Sequence, residues 1–326
     1  MTPDTSPKAS GGTATDVNVT LAEADELADL RVEGTPHPGR WIAIAIILVL
    51  VAMLGHTLVT NARFEWPVVQ HYLFNDFIFG GVLRTLELTG LAMLIGILGG
   101  IALAIARLSE NPILNYISRL YIWAFRGTPV LVQVLILFNL SALFPRLSLG
   151  IPFGPDFVSG SANTFLGAFT AAVVALGLNE AAYMAEIVRG GLLAVDPGQR
   201  DAASAIGMTR LKSMRYIVLP QAMRIIIPPT GNEVIGMLKN TSIVSVIALP
   251  ELLFSAQIIY SRNYETIPLL LVASIWYLLM TTVLTLAQTR LERHYGRSDR
   301  STTAGMGAWA LFRTVRSSMP KRGAAQ

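Results

Sequence analysis

Cysteine is absent from the 326 residues, so neither a disulfide framework nor a thiolate metal site can be built, although that identifies no compartment. Charge is scarce: Asp, Glu, Lys and Arg make up 14% of the chain against 52% apolar residues, a balance that excludes an ordinary soluble domain. Only four histidines occur, His37, His56, His71 and His294, scattered between tail, span and loop, and there is no Gly-x-Ser-x-Gly. No catalytic or metal-binding set is expected. A phosphate-cradling loop is missing too, since it would end in Gly-Lys-Ser or Gly-Lys-Thr, whereas Lys212-Ser213 follows Leu211.

What is present is a series of apolar runs of about 20 residues, enough for a helix to cross a bilayer. They lie near 41–60, 84–106, 119–143, 164–187, 224–249 and 267–289, which predicts an all-α, polytopic membrane protein of about six transmembrane helices. The run at 224–249 is interrupted by Pro228, Pro229, Gly231, Asn232, Glu233 and Lys239, and a break is expected there. Broken helices survive in membranes where protein or a water-filled cavity satisfies the freed backbone, so this one points towards a pathway. Residues 1–40, rich in Thr, Ser, Gly, Ala and acids, read as a disordered tail with a brief helix at Glu23 to Leu30. The apolar run at 41–60 is too long for a signal core and should stay as an anchor.

Lysine and arginine collect in cytoplasmic loops. Arg189, Arg200, Arg210, Lys212 and Arg215 share one connection, and a basic tail at 297–326 follows the last span, whereas 144–163 and 250–266 hold only Arg146 and Arg262. The basic segments are therefore expected inside, with both termini cytoplasmic. The net charge of +4 is then mostly topology, with the tail able to touch anionic lipid; nucleic-acid binding does not follow.

Between two spans, Asp196-Pro197-Gly198-Gln199 supplies an N-cap, a proline at the first helical position and an amide at N3. Gly207 can end that helix in a left-handed turn. Thr209 can cap a second helix through Leu211, Met214 and Val218, whose continuation Pro220 opposes because it lacks an N–H. The product is a helix-turn-helix outside the bilayer, thin at Ala202, Ala203, Ser204 and Ala205 and so suited to a partner's groove. A solvated amphipathic loop is the bland alternative.

Ionisable residues inside spans mark function by default. Glu180, beside Asn179, lies roughly 24 Å into its span at 1.5 Å per residue, and fits either a path or a buried contact between helices. Glu233 and Asn232 fit either role too. Lys239 reads as a structural polar contact, and Glu186 as the partner of Arg189 three residues on. Arg126-Gly127-Thr128-Pro129 reads as a packing hinge, and Gly96, Gly99 and Gly100 as a close helix–helix contact.

These motifs resemble the polar amino-acid branch of ATP-binding-cassette importer permeases over residues 80–296, preceded here by an extra span at 41–60. The family's Glu-Ala-Ala loop reads Asp201-Ala202-Ala203, then Gly207, Ile217, Leu219 and Pro220. Further matches are Thr85 to Thr89, Arg126 to Gln133, Ala185 to Gly191, and Lys239 to Ser242. The loop's usual glutamate is Asp201, which keeps the charge with a shorter reach. The resemblance implies a type I ABC importer permease fold with a cytoplasmic coupling loop, and no cofactor on this chain. ATP and Mg would be used by a separate ATPase dimer. A second permease copy or related permease and an extracytoplasmic binding protein would complete the assembly in the inner membrane. It also implies a path for polar amino acids and places Arg126 and Thr128 near it; with Glu180, Asn179, Asn232 and Glu233, picked above for their polarity within spans, these are the candidate path residues. Two other readings compete: a self-sufficient secondary transporter driven by an ion gradient, and an integral-membrane enzyme, for which no catalytic set is visible.

Overall fold

The computed structural model describes residues 38–151, 156–161 and 167–295. The tail expected over 1–40 up to residue 37, the brief helix at Glu23 to Leu30 and the basic tail at 297–326 lie outside the described residues. The chain divides into two units, Met1–Ala62 and Arg63–Gln326. In the first, the leading apolar run forms one helix, α1 (Pro38–Thr60), long and apolar enough to cross a membrane.

Among its described residues, the second unit is helical apart from one hairpin. Helices α2 (Trp66–Leu73), α3 (Asp76–Leu108), α4 (Pro112–Gly127), α5 (Val130–Phe138) and the short α6 (Leu140–Leu143) come first. Strands β1 (Arg146–Gly150) and β2 (Asp156–Ser161) pair antiparallel, an element the all-α expectation did not contain. Then follow α7 (Ala168–Leu193), α8 (Pro197–Ala205), α9 (Arg210–Ser213), a π-helical turn at Met214–Val218, α10 (Leu219–Asn240), a 3-10 segment at Thr241–Ile247, α11 (Leu252–Asn263) and α12 (Thr266–Tyr295). Asparagines start two of the helices: Asn75 accepts from the Phe77 N–H and Asn111 from the Ile113 N–H, each at 2.9 Å.

By length and composition four helices, α1, α3, α7 and α12, can each cross a membrane, and two bent pairs raise the number to six. One bent pair is α4 with α5, which meet at 101° where Thr128 and Pro129 are extended. This is a sharp corner where a packing hinge was expected. The other pair bends by 44° between Ile247 and Leu252.

That second bend corrects the expected break at Pro228-Pro229. Helix α10 runs unbroken through both prolines and yields only at Thr241, beyond Lys239. Polar side chains lie beside the prolines: Thr230 Oγ1 donates to the Ile226 carbonyl at 2.8 Å, and Gln288 Nε2 donates to the Pro228 carbonyl at 3.2 Å. Pro220 does not stop the preceding helix either. A π turn at Met214–Val218 widens the spiral just before it, and the proline stands in the first turn of α10, where its missing N–H costs little.

Helices α3 and α7 make the central contact. A Cβ at Gly96 would lie 2.7 Å from the Cβ of Glu180, and one at Gly100 would lie 2.9 Å from the Ala185 nitrogen, so only glycine admits this approach. The small-residue expectation is met there. Nearby, fully buried Glu251 accepts from the Leu253 and Phe254 N–H groups at 2.9 and 2.8 Å, capping α11, and from the Tyr277 hydroxyl at 2.9 Å. Thr85 Oγ1 accepts from the Leu252 N–H at 3.2 Å, so one polar junction ties α3, α11 and α12 together.

Candidate functional site

The corner between α4 and α5 leaves a cleft of about 520 Å³ between itself, α7 and α10. Arg126 to Val130 form one wall, Asn179, Glu180 and Tyr183 of α7 a second, and Glu233 with Asn240 of α10 a third. Their convergence follows from helical spacing: Asn179 and Tyr183 stand one turn apart, and Glu233 and Asn240 two turns apart.

An amide network fixes the corner. Gln133 Nε2 donates to the Phe125 carbonyl at 2.9 Å and to Thr128 Oγ1 at 2.7 Å, while Asn179 Nδ2 donates to the same Phe125 carbonyl and to Gln133 Oε1, each at 3.0 Å. Thr128 Oγ1 in turn donates to the Ala124 carbonyl at 2.8 Å. The hinge reading of Arg126-Gly127-Thr128-Pro129 thus has a physical basis in side chains that occupy the carbonyls left open where α4 ends.

Charge in the cleft is mixed. The Arg126 guanidinium stands over the Tyr183 ring, 5.1 Å from its centroid. Glu180 is 3% exposed, and its Oε1 has no hydrogen-bond partner among the described residues. Glu233 is half-buried on the facing wall. Two carboxylates and one guanidinium around a partly dehydrated space can hold a ligand that carries both a carboxylate and one or more cationic nitrogens.

Of the residues picked from sequence, Arg126, Thr128, Asn179, Glu180 and Glu233 meet at this cleft. Asn232 does not. One position from Glu233, and therefore about 100° around the helix, it accepts a hydrogen bond from Gln288 Nε2 of α12 at 3.0 Å. Tyr183 and Asn240 were missed as lining residues, and Gln133 as the brace. Glu186 pairs with Arg189 at 2.7 Å, as the spacing predicts, and also lies 3.7 Å from Arg107 of α3.

The connection from α7 to α10 is the second feature. Asp196 caps α8 by accepting from the Gly198 N–H at 2.7 Å. Gly207 adopts φ of 76°, and the Met208 N–H returns to the Ala203 carbonyl at 3.0 Å, which closes α8 in the expected left-handed turn. Arg200 Nη2 donates to the Leu192 carbonyl at 2.8 Å, tying α8 to the end of α7. Ala203 is buried beneath, whereas Asp201 and Ala202 face outward. Ile206 and Leu211 are 77% and 78% exposed, and Leu219 and Pro220 are exposed as well, with Ile217 half-buried. Uncovered apolar side chains beside cationic Arg210 and Arg215 form a surface suited to another protein.

Residues 92–297 match the family described as binding-protein-dependent transport system inner membrane component. The arginine transport system permease protein ArgU of Corynebacterium glutamicum is 46% identical over 82% of this chain and 84% of its own length. The glutamine transport system permease protein GlnP of Escherichia coli is 33% identical over 71% of this chain and 97% of its own. Among solved structures, an amino acid ABC transporter crystallised with histidines is 39% identical with a TM-score of 0.58, covering 68% of this chain and 95% of that one. The apolar spans, the motif-bearing connection and these relatives agree: the chain belongs to the binding-protein-dependent transport system inner membrane component family, as a membrane-spanning permease subunit of an ABC importer.

Proposed function

We propose that this chain carries polar amino acids, cationic ones among them, inward across the inner membrane as one of two permeases. A separate pair of ATPase subunits drives it with ATP and Mg, and an extracytoplasmic binding protein supplies it. The observation that carries the proposal is continuity. Helix α7 holds Asn179 and Glu180 in the cleft and ends at Leu193, just before Asp196; helix α10 begins at Leu219, just after the same connection, and holds Glu233. A load placed on Asp201, Ala202, Ala203 and the turn at Gly207 passes along two cleft walls at once.

In this mechanism the exposed face of α8, with Ile217, Leu219 and Pro220 at the root of α10, docks in a groove of an ATPase subunit on the cytoplasmic side. That orientation puts both termini inside. ATP binding draws the two ATPase subunits together, and α7 and α10 tilt the cleft from inward-facing to outward-facing, the rocking motion of alternating access. In the cleft Arg126 receives the substrate carboxylate, and Glu180 with Glu233 receives its ammonium or guanidinium. The lone Glu180 Oε1 supports that role, as does the arginine named for one relative.

Uptake of labelled amino acids into proteoliposomes tests the reading, with this chain, its candidate ATPase and its candidate binding protein. Uptake should need all three and should vanish with Gly207→Pro in correctly inserted protein. Equal uptake without the ATPase would overturn it in favour of gradient-driven transport.

A further inference from the structure

Lys239 stands apart from the cleft, on the neighbouring face of α10. It was expected to close a polar contact between helices; instead it is exposed, and its ammonium has no hydrogen bond or ion pair among the described residues. It lines a groove of about 330 Å³ between α10 and α12 together with Ser242, Ser274, Tyr277, Leu278 and Thr281.

Depth makes this groove unusual. Helix α12 is about 45 Å long at 1.5 Å per residue, and Ser274 to Thr281 lie about 12 to 22 Å from its start. The lysine facing them is therefore near mid-membrane, where an unpaired cation against acyl chains is strongly disfavoured. Water, a ligand or the second permease must reach it. The hydroxyls are already committed as donors: Ser274 Oγ to the Leu270 carbonyl and Thr281 Oγ1 to the Tyr277 carbonyl, both at 2.8 Å, and Ser242 Oγ to the Lys239 carbonyl at 2.7 Å. Their free lone pairs are acceptors. The groove thus offers one strong cationic donor and several hydroxyl acceptors, the complement of a zwitterion's two ends.

We propose that the Lys239 groove is a second, water-filled amino-acid station on the path, in which Lys239 holds the α-carboxylate while the hydroxyl oxygens of Ser242, Ser274 and Thr281 face the ammonium. This rests on the importer reading above, because a station is of use only to a chain that carries amino acids. It adds a site separate from the Arg126–Glu180 cleft.

The absence of native cysteine makes a direct test possible. Ser274→Cys is placed in the full importer in proteoliposomes and treated with anionic and cationic water-soluble methanethiosulfonates, with a lipid-soluble maleimide as comparison. Val283→Cys, 58% exposed on the opposite side of α12, serves as the control. The expected result is that the thiol introduced by Ser274→Cys reacts with the water-soluble reagents, about tenfold faster with the anionic one, and is shielded by transported amino acid. Lys239→Gln should abolish both the preference and the shielding, and Lys239→Arg should retain them. Reaction with the maleimide alone, no reaction with any reagent, or reaction without preference or shielding would each overturn the proposal. Uptake by the parent importer, measured in parallel, reports separately on the import reading.

Discussion

Asn179 of α7 donates to the side-chain oxygen of Gln133 of α5 at 3.0 Å, so the wall of the cleft and the far arm of a 101° corner are joined by one amide pair. Each amide also reaches the Phe125 carbonyl, at 3.0 Å for Asn179 and 2.9 Å for Gln133. Removing either amide takes away part-buried hydrogen bonds. Gln133→Leu should lower stability by about 1–2 kcal/mol, the net worth of one or two such bonds. Thermal unfolding of the purified protein measures this, and an unchanged midpoint would show that the corner is held by packing alone.

The left-handed turn at Gly207 separates a steric effect from a chemical one. Gly207→Ala should cost about 1–2 kcal/mol at φ of 76°, and Gly207→Asn clearly less, since asparagine tolerates that region. Stimulation of the partner ATPase should fall in the same order, which a phosphate-release assay in proteoliposomes would read. Equal stimulation by all three proteins would mean that the turn plays no part in coupling.

Close approach of α3 and α7 makes a matched pair of substitutions informative. Gly96→Ala drives a methyl group into the stem of Glu180 and should destabilise by about 1–3 kcal/mol. Gly90→Ala, on the same helix with open space around it, should be neutral or slightly stabilising. Similar melting temperatures for the two variants would contradict the packing described.

Glu180 has two roles to tell apart, filling space and receiving a cation. Glu180→Gln keeps the volume and the packing on Gly96, so the protein should insert and unfold as the parent does. Uptake of a cationic amino acid should nonetheless fall tenfold or more, about 1.4 kcal/mol of lost interaction. Parental uptake by the glutamine variant would assign Glu180 a packing role only.

Much of this was legible in the sequence because membrane helices announce themselves through apolar length, and helix termini through local chemistry. The spans, the caps at Asp196 and Thr209 and the turn at Gly207 need only a few neighbouring residues. What escaped depends on partners distant in sequence. Pro228 and Pro229 looked like a break, yet α10 continues through them, and Gln288 reaches across from α12 to the Pro228 carbonyl, which no local pattern reveals. Asn232 and Glu233 looked like one site, but a single helical step sends them to different neighbours. Gln133 lay inside a recognised motif without disclosing that its role was to brace Asn179 from another helix.

The placement of α7 and α10 on either side of one connection has a thermodynamic corollary. If a partner gripping the turn at Gly207 changes how tightly the cleft holds its ligand, ligand in the cleft must change by the same factor how tightly the turn holds that partner. The two helices would then carry information in both directions, and an occupied cleft would announce itself at the membrane surface before any nucleotide is spent.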